Sequence, residues 1–533
     1  MLASLTIWER EDRTVVVGDI LRLNACNYPR KVGVVFGQKR FTWLEVNERV
    51  NRLANALVGL GLARGERLAI VSNNCNEFVE TYFAAAKAGL VVVPMNVRLA
   101  APEMTYILNQ AGAKALVVQA PFAATMRSIA ADVETLHTII GFGPDHNCRQ
   151  DYDALLEKAS VRDPNVPVDE NDLFVLFFTS GTTGRPKGAM LSHRNNIMAA
   201  WVHSSEYRYT PKSIVHSIPP SFFTGGWHAS LVSGSLRAST LVIDNFDPAT
   251  VLDTMEREQI THTALVPTLL NMIVNDPSFP RRRYQLLRTS VIAGSPVHPS
   301  LLLSAENVFG KTWVIPFGMT ETCATGCILR QEQATYEGEK VSTLSSVGMA
   351  EAGMSVRVTD DDGQPIQPGS GKVGEILLKG PTVMMGYWNS PEVTAEVLEP
   401  DGWFHTGDLV RVDEEGLVYV VDRKKDMIIS GGINIFSREI EEVLFKHPAV
   451  LNAAVIGVPD DRWGEAVMAM IVPKPGAQPT KDEITEYCKQ HLASYKKPAH
   501  VEFVASLPTT ATGKILKRDL RKPYWEGRER KVQ

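Results

Sequence analysis

Residues 67–94 read RLAIVSNNCNEFVETYFAAAKAGLVVVP. The apolar runs at 67–71 and 90–94 have the length of short buried strands, and residues 76–88 between them predict a helix. A strand, a helix and a second strand in this order form a βαβ unit, in which the two strands are parallel and covered by helices. We therefore predict an α/β fold that binds ligands at the carboxyl ends of its strands.

The same alternation of helix and strand extends outward from this stretch along most of the chain. Helices are predicted at 43–58 and 101–110, and strands at 114–118, 173–178, 213–218, 239–243, 262–266, 290–293 and 312–316. Repeated units of this kind predict a large N-terminal domain of helix-covered sheets.

The pattern changes from about residue 345, where short extended runs separated by turn signals predict an antiparallel β subdomain. The charge cluster VDRKKD at 421–426 then predicts an interdomain hinge. Beyond it we predict a small, mobile α+β domain. Its elements are helices at 438–446 and 481–492 and strands near 451–457 and 466–472. The predicted domains are therefore 1–424 and 425–533.

Composition excludes several classes of protein. The chain has 533 residues with 44% hydrophobic and 22% charged, which is a globular balance and excludes disorder as the main state. A net charge of −5 gives no general affinity for nucleic acid or anionic membranes. Six scattered cysteines without a CxxC pair argue against a disulfide scaffold or a zinc module. Because no signal peptide or apolar run of membrane-spanning length is visible, we expect a cytoplasmic protein with no transmembrane segment.

The most specific local feature is the loop TSGTTGRPKG at 179–188, which directly follows the predicted strand at 173–178. Small residues leave backbone N–H groups free, hydroxyls add donors and Lys187 adds a positive charge, so the loop has the parts needed to hold a polyphosphate. It is not a Walker A loop, because Arg185 and Pro186 separate Gly184 from the lysine. On composition alone, a flexible surface loop is the alternative.

Together with four further motifs, this loop resembles the adenylate-forming superfamily, and in particular the acyl-CoA synthetases. The further motifs, in chain order, are AGSP at 293–296, FGMTET at 317–322, GWFHTGD at 402–408 with DRKKDMIISGGINI at 422–435, and TATGKILKRDL at 510–520. The resemblance covers residues from about 30 to 520. It implies cofactors ATP, CoA and Mg²⁺ and a small-molecule carboxylic acid as substrate.

The resemblance also implies which residues bind ATP. Phe317 would stack on adenine, Thr320 would hydrogen-bond the α-phosphate, and Glu321 would hold Mg²⁺, a cation that prefers oxygen ligands. On this basis the catalytic residues are Lys514, Thr320 and Lys187. The full set of ATP-binding candidates is Thr179, Ser180, Gly181, Thr182, Thr183, Gly184, Lys187, Gly294, Ser295, Pro296, Phe317, Gly318, Met319, Thr320, Asp408, Arg423 and Lys514.

The C-terminal motifs imply a second group of roles. Asp408 would accept hydrogen bonds from both ribose hydroxyls, because a carboxylate is purely an acceptor. Arg423 would support the same nucleotide, and without the motif it would be a solvated hinge charge. Lys425 matches the hinge position, and Lys514 would stabilise the negative charge that develops on phosphorus during adenylation. The pair Gly431 and Gly432 would face CoA, where pantetheine enters without side-chain obstruction.

Three positions depart from the family pattern. Phe317 stands where Tyr is usual, which keeps stacking and removes a hydroxyl. Phe223 replaces a His in front of the substrate helix, and Ser437 stands where Pro is common. Because Phe223 would lie near the acid, its replacement bears on the substrate.

The candidate acyl pocket is mainly apolar, and its members are Phe223, Trp227, Val266, Pro267, Ala293 and Gly326. Since no Arg or Lys stands among them to pair with a second carboxylate, we expect a fatty or alicyclic monoacid. Trp227 would gate a tunnel, close a short pocket, or serve as a packed core aromatic; the sequence leaves these open.

The expected function is therefore an ATP-dependent acid–CoA ligase. It would activate the acid as acyl-AMP with release of pyrophosphate and then transfer the acyl group to CoA with release of AMP. The alternatives are an aromatic acid–CoA ligase, an acyl-AMP ligase that loads a carrier protein, a luciferase-like oxidase and a non-catalytic nucleotide-binding homologue. No nucleic-acid partner is expected, and a homodimer is a candidate assembly.

Overall fold

The computed structural model describes residues 15–179, 185–509, 515–526 and 530. These residues divide into two compact units. The first unit lies within Met1–Val356 and Leu378–Phe404, and the second lies within Arg357–Leu377 and His405–Gln533. The domain boundary between residues 424 and 425 stays a prediction.

The strands are short, as expected for strands in an α/β protein. In chain order they are β1 (Val32–Phe36), β2 (Lys39–Thr42), β3 (Arg67–Val71), β4 (Val91–Pro94), β5 (Ala113–Gln119), β6 (Thr138–Phe142), β7 (Gln150–Asp151), β8 (Leu173–Thr179), β9 (Lys187–Ser192), β10 (Ile214–Ser217), β11 (Thr240–Ile243), β12 (His262–Leu265), β13 (Thr289–Ile292), β14 (Trp313–Gly318), β15 (Gly326–Leu329), β16 (Met349–Ala350), β17 (Ser355–Thr359), β18 (Gly374–Lys379), β19 (Gly386–Tyr387), β20 (Phe404–Val412), β21 (Val418–Arg423), β22 (Ile428–Ser430), β23 (Ile433–Ile435), β24 (Val450–Asp460), β25 (Gly464–Pro473) and β26 (His500–Phe503).

The helices fill the connections between strands. They are α1 (Asp19–Asn27), α2 (Trp43–Gly59), α3 (Asn76–Ala88), α4 (Ala101–Ala111), α5 (Ala120–Ile129), α6 (Tyr152–Lys158), α7 (His193–Glu206), α8 (Thr224–Gly226), α9 (Ser233–Leu236), α10 (Pro248–Arg257), α11 (Pro267–Val274), α12 (Pro299–Phe309), α13 (Pro391–Val397), α14 (Ser437–Leu444), α15 (Lys481–His491) and α16 (Lys517–Trp525). A π-helical segment, Trp227–Val232, joins α8 to α9.

The predicted βαβ unit is confirmed. β3 spans Arg67–Val71, α3 spans Asn76–Ala88 and β4 spans Val91–Pro94. β3 and β4 pair in parallel, with Leu68 opposite Val92. All 13 residues of α3 are buried, including the charged Glu77, Glu80 and Lys87.

Two mainly parallel sheets form the first unit. Within the described residues, the order of the larger sheet is β16-β15-β14-β13-β12-β10-β11-β1-β2, and its six strands from β14 to β1 are parallel. The order of the smaller sheet is β19-β9-β8-β4-β3-β5-β6-β7, and its six strands from β8 to β7 are parallel. The predicted class of helix-covered parallel sheets is therefore confirmed.

Burial on both faces of the smaller sheet explains its apolar strands. Along β3, Leu68 and Ile70 belong to a core that also includes residues of the larger sheet, whereas Ala69 and Val71 belong to a core with α4 and α5. Successive side chains of a strand point to opposite faces, so one uninterrupted apolar run supplies both cores.

The second unit contains the predicted antiparallel β structure and α+β structure. Strands β17, β18, β20 and β21 form a sheet in that order, and β20 pairs antiparallel with β21. Further on, β24 and β25 form a long antiparallel pair joined by β22, β23 and β26. One face of this pair packs with α14 and α15, and the other packs with Leu520 of α16.

Candidate active site

The candidate phosphate loop connects two paired strands of the smaller sheet. β8 ends at Thr179 and β9 begins at Lys187, and these two residues are directly opposite each other in the antiparallel ladder. Strand pairing therefore fixes the backbone of Lys187 at the base of the loop. The loop candidates Ser180, Gly181, Thr182, Thr183 and Gly184 lie outside the described residues.

The FGMTET motif makes a tight turn at the carboxyl end of β14. Thr320–Thr322 is one turn of 3₁₀-helix, and Cys323 follows with a left-handed φ of 53°. At position 318 only glycine fits, because a Cβ there would lie 2.4 Å from the Ala324 carbonyl carbon. The turn presents Thr320 and Glu321, which are both partly exposed.

The Glu321 carboxylate joins this turn to the phosphate hairpin. Its Oε1 atom lies 3.5 Å from the Thr179 hydroxyl and 2.8 Å from the Tyr387 hydroxyl. Among the described residues, both hydrogen bonds go to Oε1, which leaves Oε2 as an oxygen that a cation can bind. A single carboxylate fits Mg²⁺, because this ion is usually bound by one or two carboxylates together with substrate phosphates.

Tyr387 is a member of this site that the sequence reasoning missed. It lies on β19, which pairs antiparallel with β9 so that Tyr387 is opposite Ala189. The Lys187 ammonium lies 5.6 Å from the centre of the tyrosine ring. Burial, and then the nearby Glu321 carboxylate, raise the pKa of the Tyr387 hydroxyl, so it remains protonated and donates its hydrogen bond. The one available signal was an aromatic residue in the Gly-Tyr pair before α13.

The predicted adenine and acyl residues meet at one edge of the larger sheet. Val266 and Pro267 follow β12, Ala293 follows β13, and Phe317 lies near the end of β14. These strands are parallel, so their carboxyl ends share an edge. Gly326 starts β15 opposite Gly318 and reaches the same edge. The adenine candidates at this edge are open to solvent at Gly294, Ser295, Pro296 and Gly318 and half-buried at Phe317 and Met319.

Trp227 lies in the core beneath this edge. Its side chain has no exposed surface, and its ring stacks on Tyr82 with centroids 4.1 Å apart. Its indole N–H donates to Asn196 Oδ1 at 3.0 Å. Phe223 is half-buried and packs edge-on against Phe222, with centroids 4.7 Å apart. Phe223 is therefore partly exposed, whereas Trp227 is enclosed in the core.

Two buried histidines lie close to this core and are held neutral. Burial lowers the pKa of His228 to about 3 and that of His203 to about 4. His228 Nε2 lies 3.0 Å from Asn196 Oδ1, and His203 Nε2 lies 3.3 Å from the carbonyl oxygen of Ala324. These contacts brace the π-helical segment and the turn after Glu321.

In the second unit, Asp408 and Arg423 are brought together by strand pairing. They are opposite each other on β20 and β21, and Arg423 Nε lies 3.2 Å from Asp408 Oδ1. The preceding Gly407 N–H donates to Glu375 Oε1 at 3.0 Å. Lys424 Nζ lies 3.2 Å from the other oxygen of Glu375. The carboxylate of Glu375, which the sequence reasoning missed, thus orders the backbone beside Asp408.

The hinge candidate Lys425 lies in a 3₁₀ turn, Lys424–Asp426. Its carbonyl oxygen accepts hydrogen bonds from Arg521 at 3.2 Å and from Arg530 at 2.6 Å. Burial, and then the Arg423 charge, lower the pKa of the Lys425 ammonium. The unusual Ser437 donates from both its N–H and its hydroxyl to Asp422, which a proline could not do.

The two glycines predicted to face CoA form the turn between β22 and β23. Gly431 has a left-handed φ of 58°, and a Cβ there would lie 2.8 Å from the Trp463 ring. Gly432 is exposed, and a Cβ at that position would meet no atom within 4 Å. The surface above Gly432 is therefore free of side chains in this unit. Lys514 lies outside the described residues.

The described parts of the chain contain no helix that is long and apolar enough to cross a membrane. The same residues hold no group of three or more His, Cys, Asp or Glu side chains arranged to bind a metal ion.

The paired strand ends at Thr179 and Lys187, with the Glu321 carboxylate beside them, have the chemistry of a site for a polyphosphate and its cation. Residues 21–388 match the AMP-binding enzyme family, and residues 439–514 match the AMP-binding enzyme C-terminal domain. The chain therefore belongs to the AMP-binding enzyme family.

Individual relatives agree with this assignment. The chain is 38% identical over 503 residues to a feruloyl-CoA synthase of Amycolatopsis sp, covering 93% of this chain and 96% of the relative. It is 34% identical over 516 residues to the long-chain-fatty-acid–CoA ligase FadD13 of Mycobacterium tuberculosis, covering 95% and 98%. Among solved structures, the anthranilate CoA ligase AuaEII in complex with anthranoyl-AMP is 26% identical to this chain and has a TM-score of 0.87. The match covers 96% of this chain and 98% of that structure.

The protein is accordingly an AMP-forming acyl-CoA synthetase of the adenylate-forming superfamily. Its substrate is a small-molecule carboxylic acid, and its cofactors are ATP, CoA and Mg²⁺.

Proposed function

We propose that this acyl-CoA synthetase joins a compact, apolar monocarboxylic acid, alicyclic or aromatic, to CoA. The observation that carries the proposal is the position of Trp227, which is fully buried, stacked on Tyr82 and hydrogen-bonded to Asn196. A side chain fixed in this way closes the space beneath the sheet edge. A short, wide acid fits above it, whereas a long alkyl chain needs a channel.

The residues around this space support an apolar acid. All six acyl-pocket candidates are apolar residues or glycine: Phe223, Trp227, Val266, Pro267, Ala293 and Gly326. No cation stands among them to pair with a second carboxylate. A buried, unpaired carboxylate is costly, so a dicarboxylic acid is disfavoured.

In the first half-reaction the acid's carboxylate attacks the α-phosphate of ATP, which forms acyl-AMP and releases pyrophosphate. Lys187 and the loop amides hold the outer phosphates, and Thr320 donates to the α-phosphate. Lys514 stabilises the charge that develops on phosphorus. Glu321 Oε2 is the ligand for Mg²⁺, which neutralises phosphate charge when it is bound. Adenylation is needed because a free carboxylate is a poor electrophile.

The second unit supplies the nucleoside contacts and the second half-reaction. Asp408 accepts from the ribose hydroxyls, and Arg423 fixes the Asp408 carboxylate through the ion pair at 3.2 Å. Rotation at Lys425 then replaces Lys514 with the surface at Gly431 and Gly432, where the CoA thiol attacks acyl-AMP and displaces AMP.

A fatty acid is the second candidate substrate, because FadD13, a relative that is 34% identical, is named a long-chain-fatty-acid–CoA ligase. In that case Trp227 has to leave its position against Tyr82 to open a channel. The two candidates therefore differ in what replacing Trp227 does.

The test is CoA-dependent release of AMP over a panel of linear, alicyclic, aromatic and dicarboxylic acids. We expect the highest kcat/KM with alicyclic or aromatic monoacids, and Trp227→Leu should shift the preference toward longer linear acids. Trp43→Leu is the matched control, because Trp43 is equally buried and its N–H donates to the Ala238 carbonyl at 3.3 Å. A wild-type preference for long linear acids would contradict the proposal. AMP release that CoA fails to stimulate would indicate a carrier protein as acceptor.

A further inference from the structure

Tyr387 contacts two oppositely charged groups of the candidate phosphate site. Its hydroxyl donates to Glu321 Oε1 at 2.8 Å, and its ring centre lies 5.6 Å from the Lys187 ammonium. No sequence motif that pointed to the site includes Tyr387. The question is whether this tyrosine serves only the fold or also the chemistry of the site.

The backbone around Tyr387 ties three separate segments together. The Met384 N–H donates to the Glu321 carbonyl at 2.8 Å, and the Trp388 N–H donates to the Gly188 carbonyl at 2.8 Å. Tyr387 itself is opposite Ala189, two residues after Lys187 on the same strand. Side chains two residues apart on a strand share a face, so the tyrosine and the lysine lie on the same side of the sheet.

The hydrogen bond to Glu321 fixes one carboxylate oxygen and leaves the other for a ligand. Because the Thr179 hydroxyl also contacts Oε1, at 3.5 Å, the carboxylate is held from two sides. A carboxylate with one oxygen fixed has little freedom to rotate, so Oε2 keeps one position. Ligands held in place by such outer contacts bind metals more tightly than free side chains do.

The aromatic ring of Tyr387 attracts the Lys187 ammonium. An ammonium within about 6 Å of an aromatic ring centre is attracted by the negative face of the ring. This contact gives the Lys187 ammonium an attractive neighbour other than the Glu321 carboxylate. Opposite charges that pair with each other are less available to phosphate and metal.

We propose that Tyr387 is a positioning residue that sets Glu321 for Mg²⁺ and Lys187 for the phosphates of ATP. The Tyr387 hydroxyl contacts Glu321, and its ring contacts Lys187. Substitutions that remove the hydroxyl alone or the whole ring therefore separate the two contributions. The proposal rests on the proposed function, in which Glu321 is the ligand for Mg²⁺.

The experiment measures equilibrium binding of a non-hydrolysable ATP analogue, α,β-methylene-ATP, by calorimetry in Mg²⁺ and in EDTA. Tyr387→Phe removes the hydroxyl and keeps the ring, so analogue binding in Mg²⁺ should weaken about tenfold, the order expected for a hydrogen bond to a charged group. Binding in EDTA should stay unchanged. Tyr387→Leu removes the ring as well and should also weaken binding in EDTA.

Tyr152→Phe is the matched control, since the Tyr152 hydroxyl donates to Glu80 Oε2 at 2.7 Å in the core, outside the candidate site. Tyr152→Phe should lower the Tm and leave unchanged the ratio of the affinity for α,β-methylene-ATP in Mg²⁺ to that in EDTA. Glu321→Gln is the positive control and should abolish most of the preference for Mg²⁺.

The outcomes separate the inference from the proposed function. If Glu321→Gln changes the ratio of affinities and Tyr387→Phe does not, the inference about Tyr387 is overturned alone. If neither variant changes the ratio, the assignment of Glu321 to Mg²⁺ is wrong and the inference falls with it. If Tyr387→Phe lowers the Tm and weakens both affinities equally, its role is structural and the inference is overturned.

Discussion

At the scale of single residues, Glu351 shows how burial changes a carboxyl group next to the candidate acyl pocket. Its Oε2 accepts the Gly326 N–H at 2.6 Å, and the side chain is buried. Burial, with a smaller contribution from Glu206, raises its pKa to about 8, although Arg330 opposes the shift. At neutral pH the Glu351 carboxyl is therefore mainly protonated.

The raised pKa of Glu351 predicts a dependence of stability on pH. The native state holds a proton that the unfolded state, with the ordinary pKa of 4.5, releases. The contribution of Glu351 to the free energy of unfolding therefore falls as pH rises from about 4.5 to about 8. Glu351→Gln cannot ionise and still accepts from Gly326, so its Tm should exceed that of the wild type at pH 8 by more than at pH 5. Thermal unfolding across this pH range checks this prediction. An equal Tm difference between Glu351→Gln and the wild type at pH 5 and pH 8 would contradict it.

Asp408 gives a prediction about ATP. Asp408→Asn removes the carboxylate that pairs with Arg423 Nε at 3.2 Å and that is proposed to accept from both ribose hydroxyls. Hydrogen bonds to charged groups contribute about 1.5–3 kcal/mol, so the KM for ATP should rise roughly 10- to 100-fold. Steady-state kinetics at saturating acid measures this. Asp413→Asn in the turn between β20 and β21 is the control, and an equal effect there would contradict the ribose assignment.

At the scale of secondary-structure elements, local sequence predicted much of the fold. β3 and α3 begin and end where the sequence predicted, because one apolar run and one helical pattern each lie between polar or glycine residues. The two-residue strand β19 was not predicted. It exists because Tyr387 pairs with Ala189, almost two hundred residues earlier in the chain, and a pairing of that kind leaves no local pattern.

The candidate site likewise contains residues that the sequence could identify and residues that only the structure could identify. Motif residues such as Asp408 and Glu321 could be identified from the sequence because their chemistry requires fixed residue types. Their partners Tyr387 and Glu375 could not, because each is chosen by the three-dimensional contact that it makes. Residues that orient a site are found by geometry.

The ion pair between Lys517 of α16 and Glu441 of α14 predicts a strong effect of replacing Lys517. Lys517 Nζ lies 2.7 Å from Glu441 Oε1 and donates to the Ser437 hydroxyl at 2.7 Å, and each charged side chain is only 12% exposed. Although burial opposes the charge, the Glu441, Asp422 and Asp426 carboxylates hold the pKa of Lys517 above its ordinary value. Lys517→Met leaves Glu441 unpaired and should lower the free energy of unfolding by about 3–5 kcal/mol.

Denaturant unfolding of the full chain measures this effect in the transition of the second unit. The double variant Lys517→Met with Glu441→Gln removes the uncompensated charge and should recover part of the loss. If the double variant is as unstable as the sum of the two single variants, the pair is not coupled and the explanation is wrong.

At the scale of the whole molecule, the candidate nucleotide-binding residues are found in both units of the chain. Thr179, Lys187 and Glu321 lie in the first unit, whereas Asp408 and Arg423 lie in the second. In the proposed mechanism the segment after Lys425 rotates between the two half-reactions, whereas Asp408 and Arg423 precede Lys425 and keep the same role in both.

Lys514→Ala tests whether Lys514 acts in adenylation and not in thioester formation. The variant should lose acid-dependent ATP–pyrophosphate exchange by about 10²-fold or more, the order seen when a charge-stabilising group is removed. Thioester formation from supplied acyl-AMP should stay largely intact. Lys522→Ala is the control, because Lys522 is an exposed lysine on α16. Equal loss of both half-reactions would mean that Lys514 is structural.

The overall reaction of the chain is that of an AMP-forming acid–CoA ligase. The most direct measurement is quantification of all products by mass spectrometry after incubation of the purified chain with ATP, Mg²⁺, CoA and an acid that it accepts. We predict acyl-CoA and AMP in equal amounts, with no product when the acid is left out. Formation of ADP in place of AMP, or AMP without any acyl-CoA, would contradict the account.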